Sequence, residues 1–199
     1  MTTPLVAGNA RVKEARKLSR RPVRAERRLF LADGPKAVEG ALSIDGCVQE
    51  IFATPAAVER HLVLADRPVT LVEDAAMATL SDSVTPAGVV AVCRFVDVPL
   101  DDVVRHRGTL VVCADVRDPG NAGTIIRTSD AAGAAGVVLA GHSVDPYNDK
   151  TVRASVGSLF HVPFALGGDP AAVVRSLQAA GFVVLAADGA GERDLYDDA

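Results

Sequence analysis

The sequence predicts an α/β protein of two domains, on three observations. Short apolar, strand-like runs alternate with helical stretches along most of the chain; a polar connector splits that alternation in two; and 199 residues, 49% hydrophobic, suffice for two cores of roughly 100 residues each. Residues 1–28 read as a basic N-terminal arm, 29–96 as a small α/β unit, 97–108 as the connector and 109–199 as a second α/β unit. In the first unit GPKAVEGALSIDG is a short helix ending in glycine, VQEIFAT a strand, PAAVERHLVLA a helix opened by proline and VTLV a strand. EDAAMATLSD is then a helix and TPAG a turn into the strand GVVAVCRF. Beyond the connector DVPLDDVVRHRG come the strand TLVVCADV, a loop and helix, the strand GVVLAG, a second loop and helix, and the strand HVPFAL. A helix capped by Asp169, with Pro170 at its first position, stops at Gly181 before a last strand, FVVLAAD. Such alternation predicts a parallel sheet with helices on both faces.

The net charge of −4 conceals an asymmetry. Residues 1–36 hold ten of the 21 Lys and Arg and three of the 25 Asp and Glu, a net +7, which leaves −11 on the rest. Arg11, Lys13, Arg16, Lys17, Arg20, Arg21, Arg24, Arg27 and Arg28 repel one another unless a polyanion neutralises them, and nucleic acid is the candidate; a solvated basic helix or disordered tail is the other reading. Cys47, Cys93 and Cys113 lie in or beside apolar runs and read as reduced core residues, and the four histidines form no ligand pair, so no metal is expected. No apolar run approaches the ~18 residues of a membrane span, and MTTPLVAGNARVKEARK lacks a signal core, so no membrane partner and a cytoplasmic location are expected.

Two loops carry the candidate chemistry. DVRDPGNAGTIIRTSD follows an apolar strand, and the carboxyl ends of strands in open α/β sheets are where ligands bind. Pro119-Gly120 makes the turn, Asn121 suits the helix N-cap, and Gly123 admits another backbone or a ligand. Ala122, Ile125, Ile126 and Ser129 share the inward face, leaving Gly123, Thr124, Arg127 and Asp130 on the flank. Arg127 either leans back over its own loop or pairs with Asp130 at i,i+3. HSVDPYNDKTVRASVGSLFHVPF repeats the design: a turn at Asp145–Asn148, Lys150 and Arg153 on one helical stripe, then Ser155 and Gly157. Two cations beside a strand-end loop suit phosphate oxygens, although Asp149 and Arg153 also have the order of a surface ion pair.

DPGNAGTIIRTSDAAGAAGVVL and DPYNDKTVRASVGSLFHVPF resemble the first two signature blocks of the SpoU family of RNA ribose 2′-O-methyltransferases, in the SPOUT superfamily. RRLFLADGPKAVEGAL through GVVAVCRF is similar to the substrate-binding domain that precedes the catalytic domain in many members, with a fold like that of several ribosomal RNA-binding proteins. Asp33-Gly34 stands where the family often has Glu-Gly. The resemblance implies methyl transfer from S-adenosylmethionine to a ribose 2′-hydroxyl, ribosomal RNA favoured over transfer RNA, by a homodimer whose catalytic domain is an α/β knot. A non-catalytic RNA-binding protein of the same fold is the rival. Carried over, Arg127 is the catalytic arginine, Asn121 shapes the catalytic loop with Gly120, Gly123 and Gly157, and Lys150, Arg153 and Ser155 meet RNA together with Arg16, Lys17, Arg20 and Arg21 of the basic arm. The family continues into a further loop and a third block that complete the cofactor pocket and the knot. The catalytic domain is therefore expected to be incomplete at Ala199, leaving Ala187, Asp188 and Gly189 as the cofactor-binding candidates. GAGERDLYDDA lacks the helix that a dinucleotide loop needs.

Overall fold

The computed structural model describes residues 3–187. The first domain is a four-stranded sheet, β1 (Leu29–Asp33), β2 (Val48–Ala53), β3 (Thr70–Leu71) and β4 (Val89–Arg94), in the order β1-β4-β2-β3. β4 runs antiparallel to both β1 and β2, and only β2 and β3 are parallel, so this sheet is mixed where alternation alone predicts a parallel one. The reversed strand is β4, which lies between β1 and β2 and runs against both, pairing with β1 along that strand's whole length. Side chains alternate across the sheet. Leu31, Val90 and Val92 face a cluster with Val12, Leu18, Met77 and Leu80 from α1 (Ala10–Arg16), the turn after it and α5 (Asp74–Leu80). Phe30, Ala32, Val89, Ala91 and Cys93 face the other way, toward α3 (Pro35–Leu42) and the second domain.

The described part of the basic arm, residues 3–28, is therefore not free. Leu5 bridges to Val72, and α1 and α2 (Arg21–Arg27) fold onto the sheet because Val12, Ala15 and Leu18, spaced by three, form a buried stripe beneath the charges. Between β2 and β3 lies α4 (Pro55–Arg60), shorter than the sequence pattern suggests because the chain leaves the helix at His61. The connector also differs from expectation: it contains α6 (Leu100–Arg105), whose Val103 is buried against the second sheet.

The second domain is a parallel sheet, β5 (Leu110–Ala114), β6 (Gly136–Ala140) and β7 (Phe164–Leu166), in that order. Val137 and Leu139 face α7 (Pro119–Ala131), α8 (Asp149–Ser155) and the first domain; Val138 and Ala140 face α6 and α9 (Pro170–Ala179). Covered on both sides, β6 is an unbroken apolar run, as parallel strands are. Asp169 caps α9 and Pro170 opens it. Residues 182–187 make no strand ladder; Phe182 and Val184 pack on the core while Val183 is 89% and Leu185 67% exposed. The expected last strand thus keeps its alternation without a partner among the described residues.

The domains share one core. Tyr147, wholly buried, stacks on Phe95 with ring centroids 3.7 Å apart and lies 4.7 Å from Phe30 and 5.9 Å from Phe164. Its hydroxyl donates to Asp97 Oδ1 at 2.5 Å and accepts the Val96 and Asp97 amides at 2.8 Å each. At a second contact α3 meets the turn after α8, where a Cβ on Gly40 would lie 2.9 Å from Gly157 O and one on Gly157 would lie 2.8 Å from Lys36 O. Gly157 also has φ +95°, so both crowding and backbone require glycine there.

Candidate functional site

Both motif loops leave the carboxyl edge of the second sheet, and hydrogen bonds stitch their entries together. Asp115 ends β5 with φ +56°, a left-handed conformation rare for a residue with a side chain, and its Oδ1 accepts the His142 amide at 2.6 Å. Ser143 Oγ accepts the Val116 amide at 3.1 Å and donates to Ala140 O at 2.7 Å, while the Val144 amide donates to Val116 O at 2.8 Å. The two loops therefore start from one fixed point.

Each loop then opens a helix. Asp118 is the N-cap of α7, its carboxylate accepting the Asn121 amide at 2.8 Å with Pro119 at the first helical position. This corrects the expectation that Asn121 is the cap: a carboxylate before proline outcompetes an amide two residues into the helix. Asn121 instead has an exposed side chain in the first turn. Asn148 caps α8, its side chain accepting the Lys150 amide at 2.9 Å. Gly123 explains how the helices meet. A Cβ there would lie 2.5 Å from Ala154 Cβ and 2.6 Å from Thr151 O, so α7 and α8 touch backbone to backbone at this point. Gly123 is therefore buried, not on an open flank.

Lys150 and Asp118 consequently face each other, Nζ to Oδ2 at 3.5 Å, and a Cβ on Gly120 would lie 3.5 Å from Lys150 Cε. The Asn121 amide, and secondarily Lys150, hold the Asp118 carboxyl below its ordinary range. Arg127 is exposed two turns along α7 and pairs with no acid among the described residues; Asp130 pairs instead with His161 at 3.1 Å. Arg117, exposed in the first loop, is likewise without an acidic partner there, and the sequence reading assigned it nothing. The first loop and α7 thus expose Arg117, Asn121 and Arg127, and α8 exposes Lys150 beside Asp118.

Two expected RNA contacts turn elsewhere. Ser155 is fully buried and its hydroxyl donates to Val152 O at 2.8 Å, so it finishes α8 out of reach of RNA. Arg153 reaches into the first domain, 3.3 Å from Asp33 Oδ2 and 3.4 Å from Asp82 Oδ2, and not toward Asp149. Ser81 also donates to Asp33 Oδ2, at 2.7 Å, making this an interdomain network.

The nine cations of the head are sorted by their partners. Arg11 pairs with Glu50, Lys17 and Arg27 with Glu14, and Arg28 with Asp97 while lying 4.8 Å over the Phe95 ring. Arg24 is buried against Asp145 at 2.6 Å. Lys13, Arg16, Arg20 and Arg21 have no acidic partner among the described residues. Of the expected contacts Arg16, Lys17, Arg20 and Arg21, only Lys17 is thus neutralised within the chain. Arg21 lines a cleft of about 280 Å³ with Phe95, Gly141, Ser143, Tyr147 and Gly167, at the seam between the head and the sheet edge. Ala187 is exposed at the end of the described chain, and Asp188 and Gly189 lie outside the described residues.

Two stretches of the chain match known protein families. Residues 108–198 match the SpoU rRNA Methylase family and residues 9–91 the MRM3-like substrate binding domain. The chain is 37% identical over 158 residues to the 23S rRNA (guanosine(2553)-2′-O)-methyltransferase RlmP of Bacillus subtilis, covering 79% of this chain and 62% of that one. It is similar to an AdoMet-bound rRNA methyltransferase structure from Sinorhizobium meliloti, with TM-score 0.73 and 36% identity over 86% of this chain and 66% of that one. It is also similar to the SpoU methyltransferase AviRb from Streptomyces viridochromogenes, with TM-score 0.70 and 31% identity over 87% of this chain and 68% of that one. The chain therefore spans a little under two thirds of the length of the B. subtilis relative.

Proposed function

Because the chain belongs to the SpoU rRNA methylase family, we propose that it transfers a methyl group from S-adenosylmethionine to a ribose 2′-hydroxyl of ribosomal RNA. The observation that carries this is the packing of α7 against α8 at Gly123, which sets Lys150 beside the Asp118 cap of α7, with Asn121 and Arg127 exposed along the same helix. Relatives named as acting on 23S rRNA support the choice of RNA.

A ribose hydroxyl is a poor nucleophile and must give up its proton, to solvent since none of the named residues is a base; bound S-adenosylmethionine would supply the electrophilic methyl and leave as the demethylated thioether. The protein's own tasks are to bring the reacting oxygen within about 3–3.5 Å of that methyl and to stabilise its developing negative charge. A guanidinium has no proton-accepting form in proteins, so Arg127 acts as a cation, holding the oxyanion or the adjacent phosphate. Lys150 anchors a neighbouring phosphate, and Asn121 orients the ribose from the first turn of α7. For the cofactor, the candidate among the described residues is Ala187, exposed after Phe182 and Val184 pack on the second core. We further propose a homodimer in the cytoplasm. A groove of about 350 Å³ between the outer edge of β5 and α7, lined by Val111, Thr124, Ile125 and Thr128, supports the first, and three free buried cysteines support the second.

The test is methyl transfer to 23S ribosomal RNA by the natural full-length protein. Arg127→Ala is expected to lower turnover by about 10²–10³ while RNA affinity falls far less. Unimpaired methylation by that variant would remove the central role given to Arg127.

A further inference from the structure

We propose that Arg24 and Asp145 are positioning residues, whose buried ion pair carries the cationic N-terminal helices onto the second strand-end loop so that Arg21 and Lys150 grip one RNA as a single surface. The proposal rests on the RNA-binding reading above and adds a part to it.

Arg24 is 2% exposed, and all of its guanidinium nitrogens are engaged. Nη1 donates to Leu18 O at 2.9 Å and Ser19 O at 2.7 Å; Nε and Nη2 donate to Asp145 Oδ2 at 3.2 and 2.6 Å. No phosphate can reach it. The other Asp145 oxygen accepts the Tyr147 amide at 2.9 Å, so this one carboxylate joins α2, the turn after α1 and the Asp145–Asn148 loop. That loop holds Asn148, the cap of α8, and α8 carries Lys150 in its first turn. On the other side, Arg21 stands one turn before Arg24 on α2 and lines the seam cleft together with Asp145 and Tyr147. A buried ion pair is a weak source of net stability because both charges are desolvated, but it fixes geometry, since any other arrangement leaves a charge uncompensated. Here that geometry links the partner-free cations of the head to the face bearing Lys150.

The experiment measures binding of this chain to purified 23S ribosomal RNA as salt is raised. In the unmodified protein Lys150→Ala is expected to reduce the slope of log K against log salt by up to about 0.7–0.9, one phosphate contact, because the 3.5 Å contact to exposed Asp118 is long enough for RNA to displace. In an Arg24→Lys background, folded by near-ultraviolet circular dichroism, the same change should barely alter the slope, whereas Arg21→Ala keeps its effect. Adding Asp145→Glu, a longer carboxylate for a shorter cation, should restore the Lys150 contribution. Asp145→Asn provides a second background should Arg24→Lys not fold. A Lys150 contribution intact in a folded background overturns the proposal, because a pair serving only stability would not move it. Amide exchange on the unmodified protein gives an independent reading. RNA should protect the Leu18–Arg24 and Tyr147–Lys150 segments together; protection of one alone also overturns the proposal. Absence of salt-dependent binding by the unmodified chain would instead remove the RNA-binding reading itself.

Discussion

Asp149 is the side chain most at odds with its surroundings. It opens α8 at the domain seam, its Oδ1 is buried without a hydrogen-bond partner, and burial raises its carboxyl to about 6, with Arg24 and Arg153 pulling the other way. A carboxyl raised on folding is more readily protonated in the native state than in the unfolded chain. Its contribution to stability is therefore fully present below the unfolded value near 3.8 and is lost as pH rises through 6. Roughly two pH units at 1.36 kcal/mol each set an upper bound of about 3 kcal/mol on what the ionised form costs at neutral pH. Asp149→Asn should thus raise stability at pH 7.5 by about 1–2 kcal/mol, and the gain should shrink toward zero by pH 4 in urea melts. A gain that stays constant over that range would show that charge is not its source.

At the scale of elements, the pairing of α7 with α8 makes the site, and Gly123 permits it. Glycine to alanine inside a helix usually stabilises. Here the new methyl would meet the Thr151 carbonyl and Ala154, backbone and Cβ atoms that cannot swing aside. Gly123→Ala should therefore destabilise by about 1–3 kcal/mol, read by thermal melting, and should lower activity further by parting Lys150 from Asp118 and the first turns of α7. A neutral or raised melting temperature would mean the helices have room to separate. The close backbone approach at Gly123 and the Asp145–Asn148 turn were legible because glycine and turn residues act through local backbone geometry. The cap of α7 was misassigned to Asn121, although Asp118-Pro119 carries the same signal as the Asp169-Pro170 pair that marks α9. β1 was hidden for another reason: LFLAD is too short to show a period and follows a charge run without punctuation. The segment 182–187 has a strand's alternation, but alternation alone cannot provide the neighbour that makes a strand.

Across the whole molecule, the sequence displays a +7 head on an acidic body, yet not which cations face outward, because that depends on acids distant in the chain. Glu50, Asp97 and Asp145 lie 39, 69 and 121 positions from the arginines they bind. Tyr147 was equally opaque: between Pro146 and Asn148 it reads as a turn residue, and only the arrival of Phe30 and Phe95 makes it the centre of a shared core. The head is thus a folded surface on which some charges are spent internally and Arg16, Arg20 and Arg21 are among those left for a polyanion. Each of these three, changed to alanine, should lower the salt slope of 23S ribosomal RNA binding by about 0.7–0.9, in proportion to phosphates released. Arg11→Ala and Arg27→Ala remove equal charge from cations already paired with Glu50 and Glu14, so their effect on the slope should be much smaller. A bare electrostatic attraction to a basic tail would make all five equivalent. Equal slopes across the set would therefore show that net charge, and not the arrangement built by α1 and α2, attracts the RNA.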